Sequence, residues 1–198
     1  MSKNLLIAVY AAMLAIANIA AVKVVSIGSW EFTAGVLPIA VAYLVSDIGV
    51  ERYGKAFGHK LVWVGTAGLM VVIGITQAVV LLPGESVVND VFGASLPILI
   101  ASVLAIVVAQ HTDVWLFTAI KRKLPYRPTR NIGSTTLSQL LDTTLFTVLA
   151  FSILPVVVGG VRLSVATMAT IIVTEWVVKT GIAIADTPLF IASTNDSA

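Results

Sequence analysis

An all-α integral membrane domain of six spanning helices is the fold class this sequence predicts, and three observations carry the expectation. Of its 198 residues, 58% are hydrophobic and only 11% are charged, with a mean hydropathy of +1.01. The apolar residues gather into runs close to the roughly 20 residues that a membrane helix requires. The basic residues fall mainly in the breaks between those runs. No stretch keeps the strict apolar/polar alternation of a membrane β-barrel strand. A chain of this length forms one membrane domain, residues 1–198, with no room for a separate soluble module.

The first span is expected over Asn4 to Val25. Lys3, an apolar run and the small residues Ala20 and Ala21 imitate a signal peptide, but the run exceeds the 7 to 15 residues or so of an h-region. It is read as a retained helix. Its alanines, among them Ala8, Ala12, Ala17 and Ala21, lie at small-xxx-small spacing, which suits close packing in the bundle or docking to another membrane subunit. Val24 to Thr33, rich in β-branched residues, predicts a short hairpin at the outer surface, with Trp30 at the interfacial belt. The second span, Ala34 to Gly49, is the shortest and is expected to be little tilted or partly re-entrant. Lys60 to Leu82, Gly93 to Ile120, Thr135 to Val158 and Ser164 to Asp186 complete the six. Between them, Pro83 to Asp90 reads as a polar outer loop, and the proline-rich Lys121 to Arg130 as an extended basic one.

The charges set an orientation. Lys3, Arg52, Lys55, Lys60, Lys121, Arg122, Lys123, Arg127 and Arg130 share one side of the six-span arrangement, while Glu31, Glu85, Asp90 and Arg162 lie on the other. The positive-inside rule then puts both termini in the cytoplasm of a cell whose inner membrane holds the chain. The formal net charge of +2 follows topology rather than an acidic partner, so no nucleic-acid partner is expected. With no cysteine, neither a disulfide nor a thiolate metal site can form.

Ionisable groups at membrane depth are expensive, and they face a partner or a wet cavity. Gln139 and Asp142, three residues apart, share a helix face with Thr135 and Ser138. They form either a polar clamp between helices or a binding site, and an unpaired buried carboxylate asks for more than a clamp. Gln110 and Asp113 repeat the arrangement on the preceding span, within a shared Q-x-x-D-x-x-L-F pattern. His111 points elsewhere and reads as a packing residue. Glu175 and Lys179 are an i,i+4 ion pair, unless Lys179 instead neutralises Asp142 or Asp113 across the bundle. Asp47 and Glu51 read as a helix end with its charges in water, stopped by Gly54. Asn18 needs a hydrogen-bond partner, and Lys23 can snorkel outward.

There is no metal-spaced His pair, G-x-S-x-G, P-loop or dinucleotide fingerprint. An enzyme is therefore not expected, nor is a cofactor. Amides and carboxylates in an apolar bundle suit a small, flat, polar solute. A purine-like ring fits: carboxylates accept from its N–H groups and amides bind its edges.

The motif Asp47-x-x-x-Glu51-Arg52-Tyr53-Gly54-Lys55 resembles the D-x-x-x-E-x-Y-G-K element of the queuosine precursor transporter family, also called the vitamin uptake transporter family. Gln110-x-x-Asp113-Val114-x-x-Phe117 is similar to another of its elements, although Ala109 stands where a serine belongs. The most specific match is Arg130-Asn131-x-x-Ser134-Thr135-x-x-Ser138-Gln139-x-x-Asp142-Thr143-x-x-Phe146. Asn18 and Lys23 upstream, and Lys179 with Thr187-Pro188 downstream, extend the resemblance over nearly the whole chain. It implies a fold similar to the substrate-binding subunits of energy-coupling-factor transporters, and import of 7-cyano-7-deazaguanine or 7-aminomethyl-7-deazaguanine. The expected substrate contacts are Gln139, Asp142, Gln110, Asp113, Asn18, Ser138, Thr135 and Lys179, with Asp47, Glu51, Arg130 and Glu175 for coupling or gating. A homo-oligomer is one alternative form of the assembly. A binding subunit that works with separate ATPase and coupling proteins is another.

Overall fold

A computed structural model describes residues 1–21, 23–28, 30–83, 96–124, 126–159 and 161–195. Its long helices are α1 (Lys3–Ala20), α2 (Val36–Tyr53), α3 (Lys55–Val80), α4 (Leu96–Lys123), α5 (Arg127–Val148) and α7 (Val165–Thr194). A π-helical turn, Leu149–Ile153, joins α5 to the short α6 (Leu154–Val158). The expected hairpin is present: β1 (Val24–Ile27) pairs antiparallel with β2 (Trp30–Thr33), Val24 opposite Thr33. The predicted outer loop over residues 84–90 lies outside the described residues, as do residues 93–95 of the expected fourth span.

The chain is an all-α integral membrane protein. Five of its helical stretches are long and apolar enough to cross a membrane: Lys3–Ala20, Lys55–Val80, Pro97–Lys123, Arg127–Val157 and Val165–Thr194. The expected sixth is α2, 18 residues long and continuous rather than re-entrant. It carries Asp47, Glu51 and Arg52, and its surroundings explain how it can. It packs against each of the other five long helices, and most of it is buried, from Val36 and Pro38 through Asp47 to Val50, with Leu37 and Val41 left exposed on one face. A central helix is solvated by protein rather than lipid, so it tolerates charge that a lipid-facing helix does not. Around it α1 packs on α3, α3 on α4, α4 on α5 and α5 on α7.

Three expected boundaries are corrected. Lys121 to Arg130 is not an extended loop: α4 runs on to Lys123, and α5 starts at Arg127. Pro128 lies in the first turn of α5, where its missing N–H has no helical partner to lose. The last span does not stop at Asp186, because α7 continues past Pro188 to Thr194. Ahead of the proline, the Thr187 hydroxyl donates to the Ala183 carbonyl at 2.9 Å, and such side-chain bonds help membrane helices carry a proline. The first helix ends at Ala20, and Val24 and Val25 belong to the hairpin.

Gly54, at φ 84, stops α2 and opens α3 in a backbone conformation that side-chain-bearing residues rarely adopt. On α1, Ala17 is buried within the bundle, whereas Ala8 and Ala12 are exposed. The closest approach of α1 to α3 is at Gly65, where a Cβ would overlap the ring of Tyr10. Gly68, one turn along the same helix, leaves a Cβ in ordinary contact with Ala11, at 3.8 Å.

We expect Gly65→Ala to lower the apparent unfolding free energy in detergent by about 1–3 kcal/mol, the usual cost of overpacking, and Gly68→Ala to leave it unchanged or slightly higher. Thermal unfolding of the two variants side by side checks this. Equal stability of both would remove the close approach of Tyr10 to α3 from the account.

Candidate substrate site

The polar residues of α5 form one stripe. Asn131, Ser134, Thr135, Ser138, Gln139, Asp142 and Thr143 follow the three-and-four spacing of a single helical face, and all are buried. Against this stripe the fold sets Asp47 of α2, Gln110 and Asp113 of α4, and Glu175 and Lys179 of α7. A face this polar is not stable against lipid, so its neighbours supply matching groups.

Three sets of contacts organise the cluster. Lys179 donates from Nζ to Asp142 Oδ2 at 3.1 Å and to Thr143 Oγ1 at 2.8 Å, with Glu175 Oε2 at 3.6 Å. The intrahelical partner and the cross-bundle partner expected for Lys179 therefore occur together. The second carboxylate also ties α7 to the hairpin, since Thr33 Oγ1 donates to Glu175 Oε1 at 3.3 Å. Next, Ser138 Oγ donates to Asp113 Oδ1 at 2.7 Å, and Thr135 Oγ1 donates to Asp47 Oδ2 at 3.1 Å. The third set lies at the basic end. Arg130 Nη1 meets both oxygens of Glu51, at 2.8 and 3.0 Å, and Lys121 Nζ meets Glu51 Oε2 at 3.0 Å.

Asp47 is thus corrected from a charge in water to a group with no exposed surface, because the turn of α2 that carries it lies beneath α4 and α5. Glu51, one turn on, is the part of that motif nearest the edge, and it is neutralised by Arg130 and Lys121. Asn18 is not drawn into the cluster. Its Nδ2 donates to the Leu14 carbonyl at 3.2 Å, and its Oδ1 accepts from Ser102 Oγ at 3.2 Å. Ser102 is eight residues before Gln110 on α4, about 12 Å along a helix. His111 turns away from Asp113 to face α3. Its Nδ1 lies 2.7 Å from Nδ1 of His59, with Trp63 packed on its ring.

What the cluster does not satisfy is as telling as what it does. Among the described residues, both amide atoms of Gln110 and both of Gln139 are buried with no hydrogen-bond partner, as are Asp47 Oδ1 and Asp113 Oδ2. Two tyrosines that the sequence did not mark share this state. The hydroxyls of Tyr10 and Tyr43 are fully buried and unpartnered, and each lies within interaction range of Asp113 and Asp142. An unpaired buried polar group costs about 1–3 kcal/mol. Several in one place make a surface for a ligand that brings its own donors and acceptors. Surface hollows of about 540 and 330 Å³ open elsewhere, beside Tyr126 and Pro188 and beside Lys55 and Trp115. The cluster itself is enclosed.

A family model described as "Putative vitamin uptake transporter" matches residues 33–193, a range that holds every member of the cluster except Tyr10. A protein of Bacillus subtilis (strain 168) named "Probable queuosine precursor transporter" is 32% identical over 144 residues, covering 68% of this chain and 63% of the relative. The match thus spans a little less than two thirds of that relative's length. No solved structure matches the chain.

Lys179→Met removes the cation from between two buried carboxylates. We expect a loss of about 3–5 kcal/mol of stability, the usual result of breaking a buried pair from one side. Adding Asp142→Asn in the same chain should recover a measurable part of it. Chemical unfolding of the single and double variants in micelles measures both effects. A neutral Lys179→Met would mean that the ion pair does not hold α5 to α7.

Proposed function

This chain belongs to the putative vitamin uptake transporter family, and we propose that it imports purine-like bases of the 7-deazaguanine type, 7-cyano-7-deazaguanine and 7-aminomethyl-7-deazaguanine. Its role is transport rather than catalysis. The observation that carries this reading is the pair of buried, unpartnered amides, Gln110 and Gln139, set beside Asp113 and Asp142. A carboxamide can donate and accept at once along the edge of a base, and a carboxylate accepts from adjacent ring N–H and amino groups. Ser138 and Thr135 hold the carboxylates in place, and the rings of Tyr10 and Tyr43 offer flat apolar surface for stacking. The name of the B. subtilis relative supports the substrate class.

Within this reading Lys179 pairs with Asp142 and orients it, and Glu175 transmits movement of α7 to the outer hairpin through Thr33. Glu51, Arg130 and Lys121 latch α2, α4 and α5 together at the cytoplasmic end. An enclosed cluster corresponds to an occluded state, so entry and exit require these groups to part alternately. The π-helical turn after α5 is a natural place to bend, since such turns interrupt the regular hydrogen-bond ladder. The chain lies in the cell membrane with α2 as its sixth crossing and both termini in the cytoplasm. Labelling of a cysteine placed at Lys123 by an impermeant reagent from outside intact cells would reverse that orientation.

The test of the site is Gln139→Leu, which keeps the volume and removes the amide. Because that amide has no protein partner, stability should be unchanged or higher. Affinity for 7-aminomethyl-7-deazaguanine should fall about tenfold or more, the worth of a good two-point base contact. Thermal shift and calorimetric titration on the same sample give both values. Loss of stability with unchanged affinity would make Gln139 a packing residue and move the base elsewhere.

A further inference from the structure

The carboxyl groups of Asp47 and Asp113 raise a question of charge that the substrate contacts leave unanswered. Neither has any exposed surface. Thr135 and Ser138, successive polar residues on the α5 stripe, hold one oxygen of each, and the remaining oxygens, Asp47 Oδ1 and Asp113 Oδ2, have no donor. The two groups are neighbours, because the hydroxyls that hold them, Thr135 and Ser138, stand three residues apart on one face of α5. The cations of the core are committed elsewhere: Lys179 lies between Asp142 and Glu175, and Arg130 and Lys121 hold Glu51.

Among the described residues, no cation forms an ion pair with either carboxylate. From α1 comes the Tyr10 hydroxyl, and from α2 itself that of Tyr43, both buried and unpartnered. The buried face of α3 carries no charged residue, running from Phe57 and Leu61 to Leu69. From α5 comes Ser134, and from α7 Asp186, which acts on Asp47. Two neighbouring carboxylates without a counter-charge do not readily both stay ionised in a low-dielectric site, and a single proton shared between them removes the conflict.

We propose that Asp47 and Asp113 form a proton-binding pair, and that its proton is the coupling ion for substrate uptake. The proposal rests on the transport reading above and adds its energy source. Ser138 is the link. Its hydroxyl donates to Asp113 from the turn that also bears Gln139, so a base bound at Gln139 and a proton bound at Asp113 share one contact. A proton taken up from outside lets the site close with the pair compensated. Release to the cytoplasm accompanies opening on that side, where water solvates both carboxylates. Only a carboxyl O–H bond forms on uptake and breaks on release to water, and one proton moves inward with each base.

The test uses the full-length protein alone in proteoliposomes, with labelled 7-cyano-7-deazaguanine, a neutral probe, and a pH-sensitive dye inside. For the wild type we expect substrate to draw protons inward. An acid-outside gradient should concentrate the base by up to about tenfold per pH unit, the limit for one proton per neutral solute. Asp47→Asn mimics the protonated state permanently, and whatever exchange of labelled for unlabelled base it retains at equal pH, it should lose both the proton signal and the accumulation. Net uptake by the wild type without proton entry, or accumulation that follows a sodium gradient instead, overturns the proton pair and leaves the transport reading standing. Proton entry at the wild-type ratio in Asp47→Asn also overturns it. Absence of any exchange by the wild type overturns the transport reading and this inference together. Because the wild-type arms decide by themselves, a variant that fails to fold does not shelter the proposal.

Discussion

A polar face on a membrane helix has to be covered by protein, and that constraint shapes this molecule. The stripe on α5 from Asn131 to Thr143 carries hydroxyls, amides and a carboxylate that lipid cannot solvate. Its coverage comes from α2, α4 and α7, and each brings a group that answers one on the stripe: Asp47 to Thr135, Asp113 to Ser138, Lys179 to Asp142. The central position of α2 follows from the same demand. A helix with Asp47 at its middle and Glu51 and Arg52 at its end is poorly suited to face lipid, and at the centre it does not have to.

The coverage is incomplete in a particular place. Gln110 and Gln139 are buried without partners, while the ion pairs around them are made. A bundle selected for stability alone would replace those amides with leucine, since an unsatisfied buried polar group is a net cost. Retaining such a cost at one locus is the pattern of a functional site. The satisfied contacts fix the geometry, with Lys179 and Thr143 clamping Asp142 and with Ser138 and Thr135 orienting Asp113 and Asp47. In the proposed function the unsatisfied groups are left for a solute. In this description rigidity and recognition belong to adjacent residues of one stripe.

Much of this was legible in the sequence, for physical reasons. Apolar runs of membrane length announced the long helices, and the β-branched run after Lys23 announced the hairpin. Carboxylates and amides stood out because membrane helices rarely contain them, so Gln110, Asp113, Gln139, Asp142 and Lys179 were visible as candidates. Three kinds of information were hidden. Whether a helix is central or peripheral depends on its neighbours, so Asp47 at the end of an apolar run looked like a charge in water. Tyr10 and Tyr43 sit in apolar runs where an aromatic ring is ordinary, and nothing local reveals that their hydroxyls are buried without partners. The contact of His59 with His111 joins residues 52 positions apart, a pairing that only the packing of α3 on α4 creates. The proline-rich segment misled for a different reason. Pro128 breaks a helix interior but suits a first turn, and its position within α5 decides which applies.

The central claim is that the unpartnered amides of Gln110 and Gln139 exist to hold a base. A structure of the protein bound to 7-aminomethyl-7-deazaguanine tests it most directly. The account predicts the deazapurine ring inside the bundle between α4 and α5, with both carboxamides hydrogen-bonded to its edge and the Lys179–Asp142 pair intact. A ring bound outside the bundle, for example in the surface hollow beside Tyr126 and Pro188, with Gln110 and Gln139 still unengaged, would contradict it.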